Sequence, residues 1–247
     1  MKVALCVNKV TADIGYNIET ILDMITKAVN QGAKFIVFPE TCITGLINND
    51  IPIHDRELAT DLYSKEIEEI KKICKAAEVS VVIGIFELSD QKLYDSVLLF
   101  SPAGEVVFTQ RRISRGWFSN KADLSFYGCS EELDVVNTCL GRTLFLICGD
   151  LFDDSVVEKA SLLNPDWIIY PFARAFDSGH YDQKLWDEDE LPEYSKQILK
   201  VAPNAMMVNY LSDINGGGYF GGAFVFKNGK IISRKVLGEA GLLISYV

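Results

Sequence analysis

The sequence predicts a layered α/β protein in which helices cover two sheets. One observation is a strand–helix–strand unit within residues 2–38, whose strands should be parallel with a right-handed crossover. A second is that hairpins occur later in the same chain, so parallel and antiparallel strands mix. No linker or shift in composition divides the 247 residues, and we therefore expect one domain, residues 1–247.

The first half of the chain is predicted from hydrophobic periodicity. Residues 2–8 form a strand, Asn17 is placed to cap a helix, and Gly32 ends that helix. Residues 34–38 form a second buried strand, and residues 41–61 have no clear period and are expected to be a loop. The other elements predicted here are a helix capped by Ser64 and the strands 79–85, 93–100 and 105–110, the last two joined as a hairpin.

The second half begins with irregular sequence over residues 113–132. A long loop is expected over residues 172–189. Residues 219–226 are expected to pair with residues 231–236 through the Asn-Gly turn at 228–229. The other predicted elements are the strands 133–136, 143–147, 167–170, 206–211 and 242–247 and the helices 156–163 and 192–201.

Composition and charge narrow the function classes. The net charge of −10 disfavours nucleic acid and anionic membranes as partners. The apolar runs are of strand length, too short to cross a bilayer. The N-terminus enters a strand pattern directly and lacks the cleavage region of a signal peptide, so we expect a cytoplasmic protein. Six cysteines without a CxxC pair, and two histidines without ligand spacing, predict neither a disulfide framework nor a zinc site.

Cys148 comes after a short apolar run, residues 144–147, and precedes Gly149 and Asp150. This pattern predicts a buried strand whose end emerges into a cleft, where open α/β sheets place ligands and reactive groups. The alternative is that Cys148 is a small buried hydrophobe, as most free cysteines are.

Glu40 ends the second buried strand, directly after a proline. A carboxylate there is costly unless it has partners or a task. Because parallel neighbouring strands end at one edge, we expect Glu40 and Cys148 to meet at that edge. A carboxylate in an apolar pocket has a raised pKa and can act as a base toward a thiol.

Two other motifs are weaker. Residues 216–221 match GxGxxG, but a strand rather than a helix is predicted after the motif, so a dinucleotide site is not expected. Cys148, His180 and Asn209 occur in an order compatible with a Cys–His enzyme, yet no motif surrounds His180.

Several segments together resemble the nitrilase superfamily, the carbon–nitrogen hydrolases. Phe-Pro-Glu at 38–40 is similar to its catalytic-glutamate motif, residues 104–113 to its lysine segment, and Ile-Cys-Gly-Asp at 147–150 to its nucleophile segment. Tyr-Asp-Ser at 94–96 stands where the family commonly has Tyr-Asn-Ser. The resemblance covers essentially the whole chain in order.

The resemblance implies a four-layer αββα sandwich, with two mixed sheets covered by helices, that forms a homodimer or higher homo-oligomer. It implies cofactor-independent hydrolysis of a small amide, or a nitrile, through a cysteine acyl-enzyme. Cys148 would be the nucleophile, Glu40 the base, and the Gly149 N–H an oxyanion donor. The expected partner is a small-molecule amide, with no metal, nucleic acid or membrane.

Two departures from the family pattern leave a second interpretation open. Arg112 stands in place of the catalytic lysine, and Asp123 is the only acid where an accessory glutamate is expected. An arginine keeps the positive charge but cannot release its proton, and it can lock Glu40 in a paired state. The alternative is therefore a catalytically silent member that binds a ligand or protein. Arg174, after a central strand, is a candidate partner for a substrate carboxylate.

We predict that Cys148 is the most reactive of the six thiols, because a nearby arginine favours the thiolate. Limited iodoacetamide labelling and then peptide mapping measure this order. First labelling of Cys42 or Cys129, with Cys148 untouched, would contradict the assignment of the nucleophile.

Overall fold

The computed structural model describes residues 1–176, 180–212 and 218–247. Helices and strands alternate in the first part of the chain and strands dominate its end. The helices are α1 (Ile14–Asn30), α2 (Pro52–Leu58), α3 (Lys65–Ala77), α4 (Asp154–Leu162), α5 (Gln183–Leu185) and α6 (Leu191–Val201). The strands are β1 (Lys2–Val7), β2 (Phe35–Val37), β3 (Ser80–Ser89), β4 (Lys92–Phe100), β5 (Val106–Arg111), β6 (Val135–Thr138), β7 (Gly141–Phe145), β8 (Trp167–Phe172), β9 (Ala205–Asn209), β10 (Leu211–Ser212), β11 (Tyr219–Phe220), β12 (Ala223–Lys227), β13 (Lys230–Lys235) and β14 (Gly241–Tyr246).

Two six-stranded mixed sheets form the centre of the molecule. The first has the order β14-β1-β2-β3-β4-β5 and the second β13-β12-β9-β8-β7-β6. Strands β1, β2 and β3 run parallel, as do β7, β8 and β9, and the outer pairs are antiparallel. Helices α1 and α3 cover the first sheet, and α4 and α6 cover the second. The predicted four-layer αββα sandwich is therefore confirmed.

Alternation along the strands decides which layer each side chain enters. On β1, Val3 and Leu5 point between the sheets, whereas Ala4 faces the helices. On β7, Phe145 points between the sheets and Leu144 faces α4 and α6. Full burial of one such large side chain contributes about 1.5–3 kcal/mol, so a one-residue slip in register is strongly disfavoured.

Helix α1 begins earlier than predicted. Its cap is Asp13, whose carboxylate accepts a hydrogen bond from the Tyr16 N–H. Asn17, predicted as the cap, lies one turn inside the helix and is fully buried. Its amide instead donates to the backbone oxygens of Thr11 and Ile43, so it joins the helix to the segment after β2.

Three other predictions of local structure need correction. Residues 41–61 contain α2, which starts with a proline at its first turn, a position that costs no hydrogen bond. Residues 172–189 contain α5 and, after it, a π turn, because the fully buried Trp186 anchors that segment in the second core. The strand predicted over 219–226 is interrupted at Gly221 and Gly222, both with positive φ, which glycine adopts readily.

The GxGxxG match begins at residues 216–217, which lie outside the described residues. The next long element after the motif is strand β12 rather than a helix, so the context that a dinucleotide site needs is missing at that point. Within the described ranges, no helix has the length and apolar character needed to span a bilayer.

Gly84 on β3 lets the chain after β2 approach the first sheet closely. A Cβ at this position would lie 2.4 Å from the Pro39 carbonyl oxygen and 2.7 Å from the Glu40 Cα. Both contacts are with backbone, which cannot rotate away. The absence of a side chain at Gly84 thus fixes where Glu40 sits.

We predict that Gly84→Ala destabilises the fold by about 1–3 kcal/mol, the usual cost of overpacking a core, and displaces the Glu40 turn. Denaturant unfolding measures the loss of free energy. Gly15→Ala is the matched control, since its nearest neighbour would be the Asp13 side chain at 3.3 Å and alanine favours a helix. Equal stability of the two variants would contradict this account.

Candidate active site

Three side chains that the sequence singled out meet at one end of the sandwich. Glu40 comes after β2 and Arg112 after β5 in the first sheet, whereas Cys148 comes after β7 in the second. The expectation that neighbouring strands of one sheet bring Glu40 and Cys148 together is therefore wrong. They approach because the two sheets pack face to face. All three line one pocket of about 520 Å³, whose other walls include Asp50, Trp117 and Phe118.

Cys148 occupies an unusual backbone conformation. Its φ is +46°, in the left-handed region, and it opens a 3₁₀ turn over Cys148–Phe152. The Tyr170 hydroxyl donates to the Cys148 carbonyl oxygen at 2.6 Å, and the thiol lies 3.7 Å from the Ala173 oxygen. A non-glycine residue held in this region costs about 1–3 kcal/mol and is found preferentially at functional sites. The strained turn presents the half-buried sulfur to the pocket.

Asp150 holds the nucleophile turn against the segment after Arg112. Its carboxylate accepts hydrogen bonds from the N–H groups of Ile147 at 3.1 Å, Ile113 at 3.0 Å and Ser114 at 2.7 Å. Because it is fully buried, these donors provide the solvation that water would give elsewhere. Sequence reasoning identified Asp150 only as part of the family motif, since Ile113 and Ser114 lie 37 and 36 residues away along the chain.

Arg112 is buried among the acidic groups of the site. Its Nη1 donates to Glu40 Oε1 at 3.1 Å and to Asp95 Oδ2 at 3.3 Å, and its Nε donates to Ser114 Oγ at 2.8 Å. Its Nη2 lies against the backbone of Gly149, where a Cβ would come within 2.5 Å. The guanidinium therefore bridges the base candidate and the nucleophile turn.

The electrostatics of the pocket result from this burial. Burial, and after it the charges of Asp95 and Cys148, raises the pKa of Glu40 well above its ordinary value, against the opposing effect of Arg112. Burial lowers the pKa of Arg112, but the surrounding negative charges of Cys148, Glu40 and Asp95 outweigh it and raise that pKa overall. Arg112 is therefore charged at any physiological pH, and Glu40 holds a proton more tightly than an exposed glutamate does.

Four of the other five thiols are poor competitors for a nucleophile. Burial raises the pKa of Cys6, Cys42, Cys74 and Cys129, which lowers their thiolate fraction at neutral pH. Cys139 is exposed and lies outside the pocket. This supports the predicted order of labelling.

Some predicted site residues lie elsewhere. Arg174 forms a two-point ion pair with Glu190, with contacts of 2.6 and 2.9 Å, and does not line the pocket of Cys148. Asp123 is outside this pocket as well, and its carboxylate accepts from Ser125 in a local turn.

The Cys–His–Asn arrangement gains no support from the geometry. His180 lines a different pocket from Cys148. The side-chain oxygen of Asn209 accepts from the Arg174 N–H, and its amide donates to the oxygen of Gly221. Asn209 therefore has a structural role in joining these two segments.

Sequence reasoning missed the anchor of one pocket wall. Asp55 on α2 is fully buried and accepts from the N–H groups of Asn49 and Asp50 and from the Tyr127 hydroxyl at 2.7 Å. His54 contacts the same carboxylate at 2.7 Å. These contacts fix the loop that carries Asp50 to the pocket. The only signal in the sequence was an aspartate within an unassigned segment.

Comparison with known proteins identifies the family of this chain. A carbon–nitrogen hydrolase family profile matches residues 2–191, so the chain belongs to this family, as its motifs predicted.

Individual relatives are distant. A cyanide hydratase of Penicillium rubens is 26% identical over 176 residues, 64% of this chain and 48% of that protein. The chloroplastic omega-amidase of Arabidopsis thaliana is 25% identical over 208 residues, 81% of this chain and 56% of that protein. This chain thus spans about half the length of the curated relatives it matches. A mutant of the amidase from Nesterenkonia sp. AN1, solved with a Michael adduct of acrylamide at its active-site cysteine, has a TM-score of 0.77 at 17% identity, covering 100% of this chain and 93% of that one.

We predict that Asp150→Ala lowers the free energy of unfolding by about 3 kcal/mol or more, since each hydrogen bond to a charged group is worth about 1.5–3 kcal/mol. Urea unfolding at neutral pH provides the measurement. Asp153→Ala is the control, because that aspartate caps α4 and its loss should cost about 1 kcal/mol. An Asp150→Ala loss no larger than the control would exclude the proposed anchoring.

Proposed function

We propose that this chain hydrolyses the C–N bond of a small amide through an acyl-enzyme formed on Cys148. The observation that carries the proposal is the convergence of Cys148, Glu40 and Arg112 in one pocket of about 520 Å³, a size suited to a small molecule. A nitrile, whose carbon is attacked in the same way, is the second substrate class.

In the proposed reaction Glu40 takes the proton of the Cys148 thiol, and the sulfur attacks the amide carbon. The N–H of Gly149 and the guanidinium of Arg112 donate to the oxyanion. Glu40 then passes its proton to the leaving amine as the C–N bond breaks. In the second half Glu40 takes a proton from water, whose oxygen attacks the thioester. The C–S bond then breaks, the acid leaves, and Glu40 returns the proton to the sulfur of Cys148.

The names of similar proteins support the proposed type of reaction. An omega-amidase and a cyanide hydratase are among them, and a mutant of the Nesterenkonia amidase carries a Michael adduct of acrylamide on its active-site cysteine. Aromatic residues Trp117 and Phe118 offer an apolar wall for the acyl part of a substrate, beside the polar groups of the site.

The second candidate is a silent member of the family that binds a ligand or a protein. The 3.1 Å contact between Arg112 and Glu40 favours it, because a carboxylate held by a guanidinium is a weaker base. We favour the enzyme, since Asp95 competes for the same guanidinium nitrogen and opposes that effect on Glu40.

Two further expectations stay proposals: a cytoplasmic location, and a homodimer or larger homo-oligomer. Helices α4 and α6 pack against each other, and each exposes one leucine, Leu162 (80% exposed) and Leu199 (50% exposed), that a second copy of this chain could cover. Light scattering after gel filtration, with Leu162→Glu beside the wild type, measures the assembly.

We predict that incubation with a pool of small amides leaves a covalent acyl adduct on Cys148. Mass spectrometry of the intact protein and of its peptides measures the adduct. Cys148→Ala should show none, and Cys139→Ala, which changes an exposed thiol outside the pocket, should behave as wild type. The absence of any adduct and of any amide turnover would favour the silent member.

Arg112 separates the two candidates. If it donates to the oxyanion, Arg112→Ala should slow hydrolysis by about a hundredfold or more, because one such donor is worth about 2.7–4 kcal/mol. Turnover of wild type, Arg112→Ala and Arg112→Lys on one panel of amides provides the measurement. A silent wild type beside an active Arg112→Lys variant would reverse our choice.

A further inference from the structure

Asp95 brings a second buried carboxyl group to the site. It lies on β4 and is only 1% exposed, and its backbone oxygen accepts from the Arg112 N–H at 2.8 Å. Its Oδ2 accepts a hydrogen bond from Nη1 of Arg112, the same nitrogen that donates to Glu40. Two carboxyl groups thus depend on one cationic group.

Each of these carboxyl groups also has a buried oxygen without a donor. Neither Glu40 Oε2 nor Asp95 Oδ1 accepts a hydrogen bond from the described part of the chain. The two carboxyl groups are neighbours, because Glu40 Oε1 and Asp95 Oδ2 lie 3.1 and 3.3 Å from the same nitrogen of Arg112. Burial, and after it the nearby Asp95, raises the pKa of Glu40. A proton between the two oxygens would satisfy both.

Charge balance also predicts that the two carboxyl groups hold one proton between them. One guanidinium neutralises one carboxylate, and a second buried carboxylate without a counter-charge is costly. The remaining groups do not supply that charge. Burial raises the pKa of the tyrosines whose pKa values respond to Glu40, so they stay neutral, and a Cys148 thiolate would add negative charge. The titratable groups that interact with Glu40 are Asp95, Arg112, Cys148, Tyr170, Tyr194 and Tyr219. Asp150, a third buried carboxyl group, also acts on Arg112, but three backbone N–H groups solvate its carboxylate.

We propose that Glu40 and Asp95 share one proton in the resting protein and act together as a single base. Asp95 is in this account a positioning residue, which touches Glu40 and Arg112 rather than the substrate. The pair carries one negative charge, and Arg112 balances it.

This proposal rests on the proposed function and deepens it. When the S–H bond of Cys148 breaks, its proton forms an O–H bond on Glu40, and the shared proton settles on Asp95. The negative charge moves from the pair to the sulfur, beside Arg112, and nothing is oxidised or reduced. Arg112 therefore balances one negative charge before and after the transfer.

Proton linkage provides a test that needs no substrate. An acid whose folded pKa is raised binds more protons in the native than in the unfolded state. Its stabilising effect is full below the unfolded value of 4.5 and is lost as the pH rises through the folded pKa. One such proton makes the unfolding equilibrium constant rise about tenfold per pH unit in that window.

The experiment measures urea unfolding from about pH 5 to pH 8 in wild type, Glu40→Gln, Asp95→Asn and the double variant. In each single variant the unfolding equilibrium constant should no longer rise by the roughly tenfold per pH unit that one proton causes. The double variant should lose the same dependence on pH and no more. Asp123→Asn, which changes an exposed carboxyl outside the pocket, is the control and should keep the wild-type slope. Asp95→Ala, which also lacks the carboxyl, replaces Asp95→Asn if that variant does not fold.

Three results would overturn the proposal. A slope lost in Glu40→Gln but kept in Asp95→Asn would place the proton on Glu40 alone. No loss in either would mean that both groups are ionised, and a two-proton loss in the double variant would mean two independent acids. If the unfolding data support the shared proton but the wild type hydrolyses no amide, the carboxyl pair stands and the proposed function is wrong.

Discussion

The guanidinium of Arg112 is the contact on which the arrangement of the site depends. It joins a turn after β2, the middle of β4 and the nucleophile turn, through Glu40, Asp95 and the backbone beside Gly149. Because both carboxyl groups are buried, loss of the charge would leave them with neither water nor a counter-ion. The positive charge is thus a structural requirement as well as a chemical resource.

The sandwich makes this arrangement possible because its two sheets have separate tasks. The first sheet delivers the carboxyl groups and the arginine, and the second delivers the thiol on a strained turn. Asp150 connects the two by accepting N–H donors from both sides. The same packing that buries apolar side chains between the sheets therefore sets the distances within the pocket.

Arg112, where the resemblance led us to expect a lysine, gives the site a planar cation whose charge is spread over three nitrogens. A guanidinium can donate to several acceptors in its plane. In this structure Nη1 donates to two carboxyl groups, and Nη2 lies against the backbone of the nucleophile turn at Gly149. An aspartate at position 95, where the resemblance led us to expect asparagine, adds negative charge beside that larger cation. We interpret Arg112 and Asp95 as parts of one charge arrangement.

The sequence by itself determined the layers, most of the strands and the candidate site residues Glu40, Arg112 and Cys148. Hydrophobic periodicity and local motifs depend only on residues that are close together in the chain. Only the tertiary structure decided that Glu40 and Cys148 meet across two sheets, that Arg174 pairs with Glu190, and that Asp95, Asp150 and Asp55 have buried partners. Those hydrogen bonds join residues 16 to 72 positions apart. A hydrogen bond over such a separation depends on how the sheets pack, and no local pattern in the sequence records it.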